Sequence, residues 1–171
     1  MNPGPDVAST NFKERGAHMN KYARFGVMVG VSTALMLGLM YLNTYQLDHI
    51  FFSQTRAWMA LVMGAAMAMV MLLFMLGMYT RKGLNVGILA ASAGVFAVAL
   101  WLVRSQQTVD DVAYMKAMIP HHSIAILTST RARITDPRVR KLADGIVEAQ
   151  EREIGQMKDL IREHEQKSGS R

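Results

Sequence analysis

Three long runs without a charged side chain constrain this chain more than any other feature. Phe25 to Leu47, Ala57 to Thr80 and Gly83 to Val103 contain no Asp, Glu, Lys or Arg. Each exceeds the roughly 18–20 residues that a helix needs to cross about 30 Å of hydrocarbon. Three buried core helices of that length would be out of proportion in a chain of 171 residues. A bilayer offers no water to an open sheet or loop, so the runs are expected to be helical spans. The first run starts late and has no clear cleavage site after it, which marks it as a retained anchor rather than a signal peptide.

Basic residues near the span ends predict the orientation. Lys13, Arg15, Lys21 and Arg24 precede the first span, and Arg81 and Lys82 join the second to the third. The loop from Asn43 to Arg56 holds only Arg56, opposed by Asp48. The N-terminus and the Arg81-Lys82 turn are therefore expected to be cytoplasmic, and everything after Val103 external. The net charge of +6 sits mainly on these flanks, where anionic lipid is the natural partner, so nucleic acid is excluded as a partner. The absence of cysteine removes disulfides and thiolate metal sites.

Residues 1–22 read as a disordered tail, 23–104 as a three-span membrane unit and 105–171 as an exterior unit. In the last, Thr108 followed by Asp111 resembles a capping box, with a helix expected to about Arg133. Asp136-Pro137 is a second start, Asp as cap and Pro at the first helical position. Its helix should reach about Glu165, with Lys167 to Arg171 frayed. Val139, Leu142, Ile146, Ala149, Glu153, Met157 and Leu160 form one stripe at helical spacing. The expected fold is all-α: three transmembrane helices, then an antiparallel αα-hairpin. Two helices cannot cover both their apolar faces, so the hairpin should dimerise into a four-helix bundle burying Leu142, Ile146 and Leu160. Packing onto the spans of the same chain is the alternative.

Soft metal ligands concentrate in this unit. With the turn centred near residue 134, His122 is level with about Glu148, Met118 with about Gln150 and Met115 with about Glu153. Met115, Met118 and His122 share one helix face, and Gln150, Glu153 and Met157 share the facing one. His121 is rotated about 100° from His122. Glu153 interrupts an apolar stripe and so needs a partner: a metal, or a salt bridge to His122 or Lys116. Pro120 removes a backbone donor, so it either kinks the helix and aims the imidazoles or breaks it. Imidazole with thioether selects copper, and Cu(I) in particular, over hard cations. The candidate ligands are His121, His122, Met115, Met118, Glu153 and Met157, with Gln150 and Tyr114 beside them. A di-iron site needs Glu-x-x-His pairs at the helix centres, and neither helix has one.

Met118-Ile-Pro-His-His122, Asp136-Pro-Arg-Val-Arg-Lys-Leu-Ala143 and Ala149-Gln-Glu-Arg-Glu-Ile-Gly-Gln-Met157 resemble the bacterial domain-of-unknown-function family 305. The resemblance covers about Asp110 to Glu163. It implies a ferritin-like helical hairpin, copper binding in some members, and functional positions at His121, His122, Gln150, Glu153 and Met157. Ser123 stands where Gln is common, and one hairpin is present where many members carry two, which favours self-association.

The second span adds Met59, Met63, Met67, Met71 and Met75 at steps of four, then Met78. This is either a packing ridge made of an adaptable side chain or a thioether path for Cu(I) through the membrane. Gly83 and Gly87, with Gly94, offer a small face for close helix contact. His49, beside Asp48 and Tyr45, is a possible entry ligand. The reading is a non-enzymatic copper-binding protein of the bacterial inner membrane with a periplasmic hairpin. It would sequester, hand over or detoxify metal with a periplasmic donor or acceptor protein. A copper transporter using the methionine ridge and a structural oligomer without metal are the rivals.

Overall fold

A computed structural model describes residues 20–169. The expected disordered tail therefore lies almost wholly outside the described residues, as do Lys13, Arg15 and the last two residues. Among the described residues the chain is all-α, with no strand: α1 Lys21–Leu39, α2 Gln54–Phe74, α3 Lys82–Ser105, α4 Asp111–Arg131 and α5 Pro137–Gly169. The helices α1, α2 and α3 are each long and apolar enough to cross a membrane. Two are shorter than their uncharged runs. Asn20 caps α1 through Tyr22 N–H, and α1 ends at Leu39, eight residues before the run does. Ser53 caps α2 by accepting from Arg56 N–H at 3.2 Å. That helix stops at Phe74, and Leu76–Met78 forms a separate 3-10 turn.

The middle helix, α2, packs against both α1 and α3. Its buried ridge is Ala60, Gly64, Ala68 and Leu72, with Ala65 beside it. These small residues also recur every four positions, so they form the ridge that packs. The methionine ridge lies one residue away. Met63, Met67 and Met71 are half-buried, Met59 and Met78 are exposed, and Met75 and Met78 lie beyond the helix. The ridge does not cross the span as one continuous helical line. The closest approach is at Gly64, where an added Cβ would strike the Thr33 hydroxyl of α1. A Cβ added at Gly83, Gly87 or Gly94 would meet nothing within 4 Å among the described residues. Val27, Val31 and Leu35 of α1 and Val86, Val98 and Trp101 of α3 face outward, as lipid-facing helices do.

Polar contacts fasten both ends of this bundle. At one end Tyr22 Oη donates to Asn85 Oδ1 (2.9 Å) and Asn85 Nδ2 to the Tyr79 carbonyl (2.8 Å). The Tyr22 and Phe25 rings pack on Tyr79 there. At the other end Arg56 donates to the Met40 carbonyl (2.6 Å) and lies 4.5 Å over the Tyr41 ring. A charge that served the sequence reading only as an orientation marker is thus a staple between α1 and α2.

The chain leaves α3 through Gln106, whose φ of 54° places it in the left-handed region. The cap of α4 is Asp110, accepting from Ala113 N–H at 2.7 Å. Thr108, the expected cap, instead accepts from Trp58 Nε1 of α2. Helix α4 runs unbroken through Pro120. Asp136 caps α5 by accepting from Arg138 N–H at 2.8 Å. The helix then continues to Gly169, so Lys167 is helical rather than frayed.

α4 and α5 pack together around Met115, Ile119, Ile126, Ile154 and Ile161. On α5 the buried line is Ala143, Ile154 and Ile161, with Val147 and Met157 against the core. The expected stripe of Val139, Leu142, Ile146 and Leu160 is exposed. It is apolar at the same helical spacing but rotated by one residue, so periodicity alone could not choose between the two. The connection between α1 and α2 also packs on this pair: Phe51 contacts its core and Lys158 reaches Asp48 Oδ2 at 2.6 Å. Part of the cover expected from a second copy therefore comes from the same chain.

Gly64→Val should force α1 off α2, at a cost of about 1–3 kcal/mol for overpacking. Thermal unfolding in detergent measures it. Thr33→Ala combined with Gly64→Ala should be better tolerated than Gly64→Ala alone.

Candidate functional site

His122 and Glu153 bridge α4 and α5. His122 Nε2 lies 2.8 Å from Glu153 Oε2, and Nδ1 lies 3.0 Å from the Met118 carbonyl one turn back. Equal counting from the turn set Met115, not His122, against Glu153. The difference follows from the way helical side chains lean towards their own N-terminus. In helices running opposite ways, Glu153 leans towards the connection and His122 away from it, so their heads meet although their Cα atoms are offset.

Both ring nitrogens of His122 face oxygen acceptors. Only a ring carrying both N–H groups donates to both. A cation that takes Nε2 must therefore first displace Glu153, or engage it as a fellow ligand. His121 is exposed, and its ring stands 6.2 Å from that of His122 at 64°. Met118, one turn before His122 on α4, is half-buried. Met115 belongs to the apolar core between α4 and α5, and Met157 packs on it. Gln150 is half-buried, and Tyr114 is exposed on α4. The structure thus joins His122 to Glu153, sets the His121 ring beside that of His122, and commits Met115 and Met157 to packing. Among the described residues no three His, Asp or Glu side chains converge as a ready metal cluster.

Sequence reasoning noted Ser123 only as a departure from the family pattern and gave it no role. This residue is 0% exposed, the most enclosed polar group of α4. Its hydroxyl accepts from Tyr45 N–H at 2.7 Å and lies 3.0 Å from His49 Nδ1. His49 is itself buried, so it is a joint between the loop and α4 rather than an open entry ligand. The available signal was a small polar residue inside an apolar helix, next to the histidine pair. Ser123, His49 and Asp48 have the order of a hydrolytic triad but not its geometry. The serine has no room for a substrate, and His49 Nε2 stands 3.7 Å from Asp48 Oδ1, beyond hydrogen-bond reach.

Burial, and then the Lys158 charge, push the His49 imidazole below its ordinary value of 6.5, against the opposing pull of Asp48 and Glu151. A neutral ring suits the joint, because Nδ1 can then accept the Ser123 proton. Lys158 likewise holds the Asp48 carboxyl below its usual range.

The unfolded chain binds a proton at His49 more readily than the folded one. The joint's contribution is therefore full above the unfolded value of 6.5 and fades as pH falls below it towards the folded value. Protection factors across residues 43–53, that is, exchange corrected for the pH dependence of the intrinsic rate, should fall on acidification over that window. Ser123→Ala should lower them at every pH, since the Tyr45 N–H and the His49 ring lose their bond, at about 1–3 kcal/mol. Protection that is flat with pH in the parent protein would remove His49 as the titrating group.

Residues 111–171 match the family described as Domain of unknown function (DUF305). An uncharacterised protein of Acanthamoeba polyphaga mimivirus is 33% identical over 88 residues, an alignment that covers 50% of this chain and 58% of that protein. The chain thus spans little more than half the length of the curated relative it matches. No solved structure matches.

Proposed function

We propose that this protein binds copper outside the membrane, at His121 and His122, in order to sequester it or hand it on. The observation that carries the reading is the 2.8 Å contact between His122 Nε2 and Glu153 Oε2. It joins an imidazole and a carboxylate from two helices, next to a second, exposed imidazole. Two nitrogens, an oxygen and the Met118 sulfur form a donor set suited to copper. Glu153 would serve as a ligand or would orient an imidazole. Met115 is buried in the α4–α5 core and the half-buried Met157 packs against it, so both are weaker ligands than their spacing suggested.

In this proposal residues 23–104 anchor the protein in a bacterial inner membrane, and 105–171 form a ferritin-like antiparallel hairpin on the periplasmic side. The packing of α4 on α5, the three apolar helices and the family match support it. One observation favours the purely structural rival: both nitrogens of His122 already have partners within the chain.

Competitive titration of the full-length protein in detergent with Cu(I) and Cu(II) separates the two. His121→Ala with His122→Ala should abolish tight binding, and Glu153→Gln should weaken it about 10–100-fold. Met118→Leu, which nearly conserves volume, should weaken Cu(I) more than Cu(II). A double-alanine protein that binds as tightly as the parent would make the pair structural and turn attention to the methionines of α2.

Orientation has its own test. Because the chain has no cysteine, Glu151→Cys gives a single thiol. It should react with a membrane-impermeant maleimide in intact spheroplasts. Labelling only after lysis would reverse the proposed topology.

A further inference from the structure

α5 carries a second apolar face that nothing in the described chain covers. Val139, Leu142, Ile146 and Ala149 recur at alternating steps of three and four, and Leu160 falls on the same seam. Leu142 stands 65% exposed. That spacing is the seam by which one helix recruits another. Beside Leu142 the surface is hollow. A groove of about 570 Å³ is lined by Arg138, Lys141, Leu142, Gly145, Ile146 and Ala149. Leu142, Gly145, Ile146 and Ala149 stand at i, i+3, i+4 and i+7, the four positions that frame a socket for a knob from a facing helix.

Gly145 makes the hollow. A Cβ there would meet nothing within 4 Å among the described residues, so no contact among them calls for glycine. Yet glycine weakens a helix interior relative to alanine. A close approach from outside the chain accounts for it. The surface therefore holds both a protruding leucine and a socket of the kind that receives one, which is the requirement for a twofold contact. One pair of charges beside the seam, Lys141 and Glu148, is complementary in the same sense. Lys141 and Glu148 lie one heptad apart and form no ion pair among the described residues. A copy crossing in the opposite direction at Gly145 would set each beside its opposite.

We propose that this face binds a second copy of the chain, with two α5 helices crossing antiparallel at Gly145 and each Leu142 seated in the other's hollow. The seam stands on α5 alone and does not depend on metal. Glu153 lies one step beyond Ala149 on it, so assembly would place one His122–Glu153 pair at each end of the interface, about 24 Å apart along the helix axis.

Ile146→Cys as the only cysteine, which keeps Leu142 and Gly145, treated with a short bismaleimide in native membranes, tests this on the full-length chain. A cross-linked dimer is expected. Glu151→Cys, on the side of α5 that lines the pocket beside His49, should remain monomeric. Adding Gly145→Leu to Ile146→Cys fills the hollow, and adding Leu142→Ala removes the knob; each should reduce the dimer severalfold. If those variants misfold, charge reversal replaces them: Lys141→Glu or Glu148→Lys alone should reduce cross-linking, and the pair should restore it. An uncross-linked Ile146→Cys, equal cross-linking at Glu151→Cys, or no recovery in the double reversal would each overturn the proposal. His121→Ala with His122→Ala should leave cross-linking intact, so a failure of the copper reading is seen separately.

Discussion

The position of the histidine pair depends on one enclosed hydroxyl. Ser123 holds the loop between α1 and α2 through the Tyr45 backbone and the His49 ring. It immediately follows His122 in sequence. Phe51 and the Asp48–Lys158 contact extend the same joint along α4 and α5. A polar group buried this completely is stable only while its partners are in place. The loop and the helical pair must therefore dock together, and the His121–His122 face is left pointing away from the joint.

The joint also sets what the apolar helices contribute. The connection from α1 to α2 can reach α4 only because α1 stops at Leu39 and the chain turns before α2 begins at Gln54. Arg56 and Tyr41 brace that turn. At the opposite end Tyr22, Tyr79 and Asn85 close the bundle. Between the ends, packing is by small residues on α2, which suits helices in lipid, where close backbone approach replaces the hydrophobic drive. The α4–α5 pair is thus mounted on the apolar bundle rather than tethered to it by a flexible linker.

Much of this was legible in the residues. The absence of charge located α1, α2 and α3, and Asp136-Pro137 located the start of α5. What escaped were choices between equivalent periodicities and contacts remote in sequence. On α2, methionines and small residues both recur every four positions, and only the neighbouring helices decide that Ala60, Gly64 and Ala68 face inward. On α5, Leu142 and Ala143 are one residue apart and belong to two different apolar faces. The meeting of His122 with Glu153 needed the lean of side chains along each helix, which spacing alone omits. The bond from Ser123 to His49 joins residues 74 positions apart, and no local pattern encodes it.

A thioether-rich reading of the metal site and a histidine-centred one predict different atoms around copper. Met115 and Met157 lie against the core, whereas His122 meets Glu153 with the His121 ring beside it. X-ray absorption on the copper-loaded full-length protein counts those atoms directly. The account predicts imidazole nitrogens with no more than one sulfur neighbour. A shell made of sulfur alone would place the metal on the methionines of α2 and contradict it.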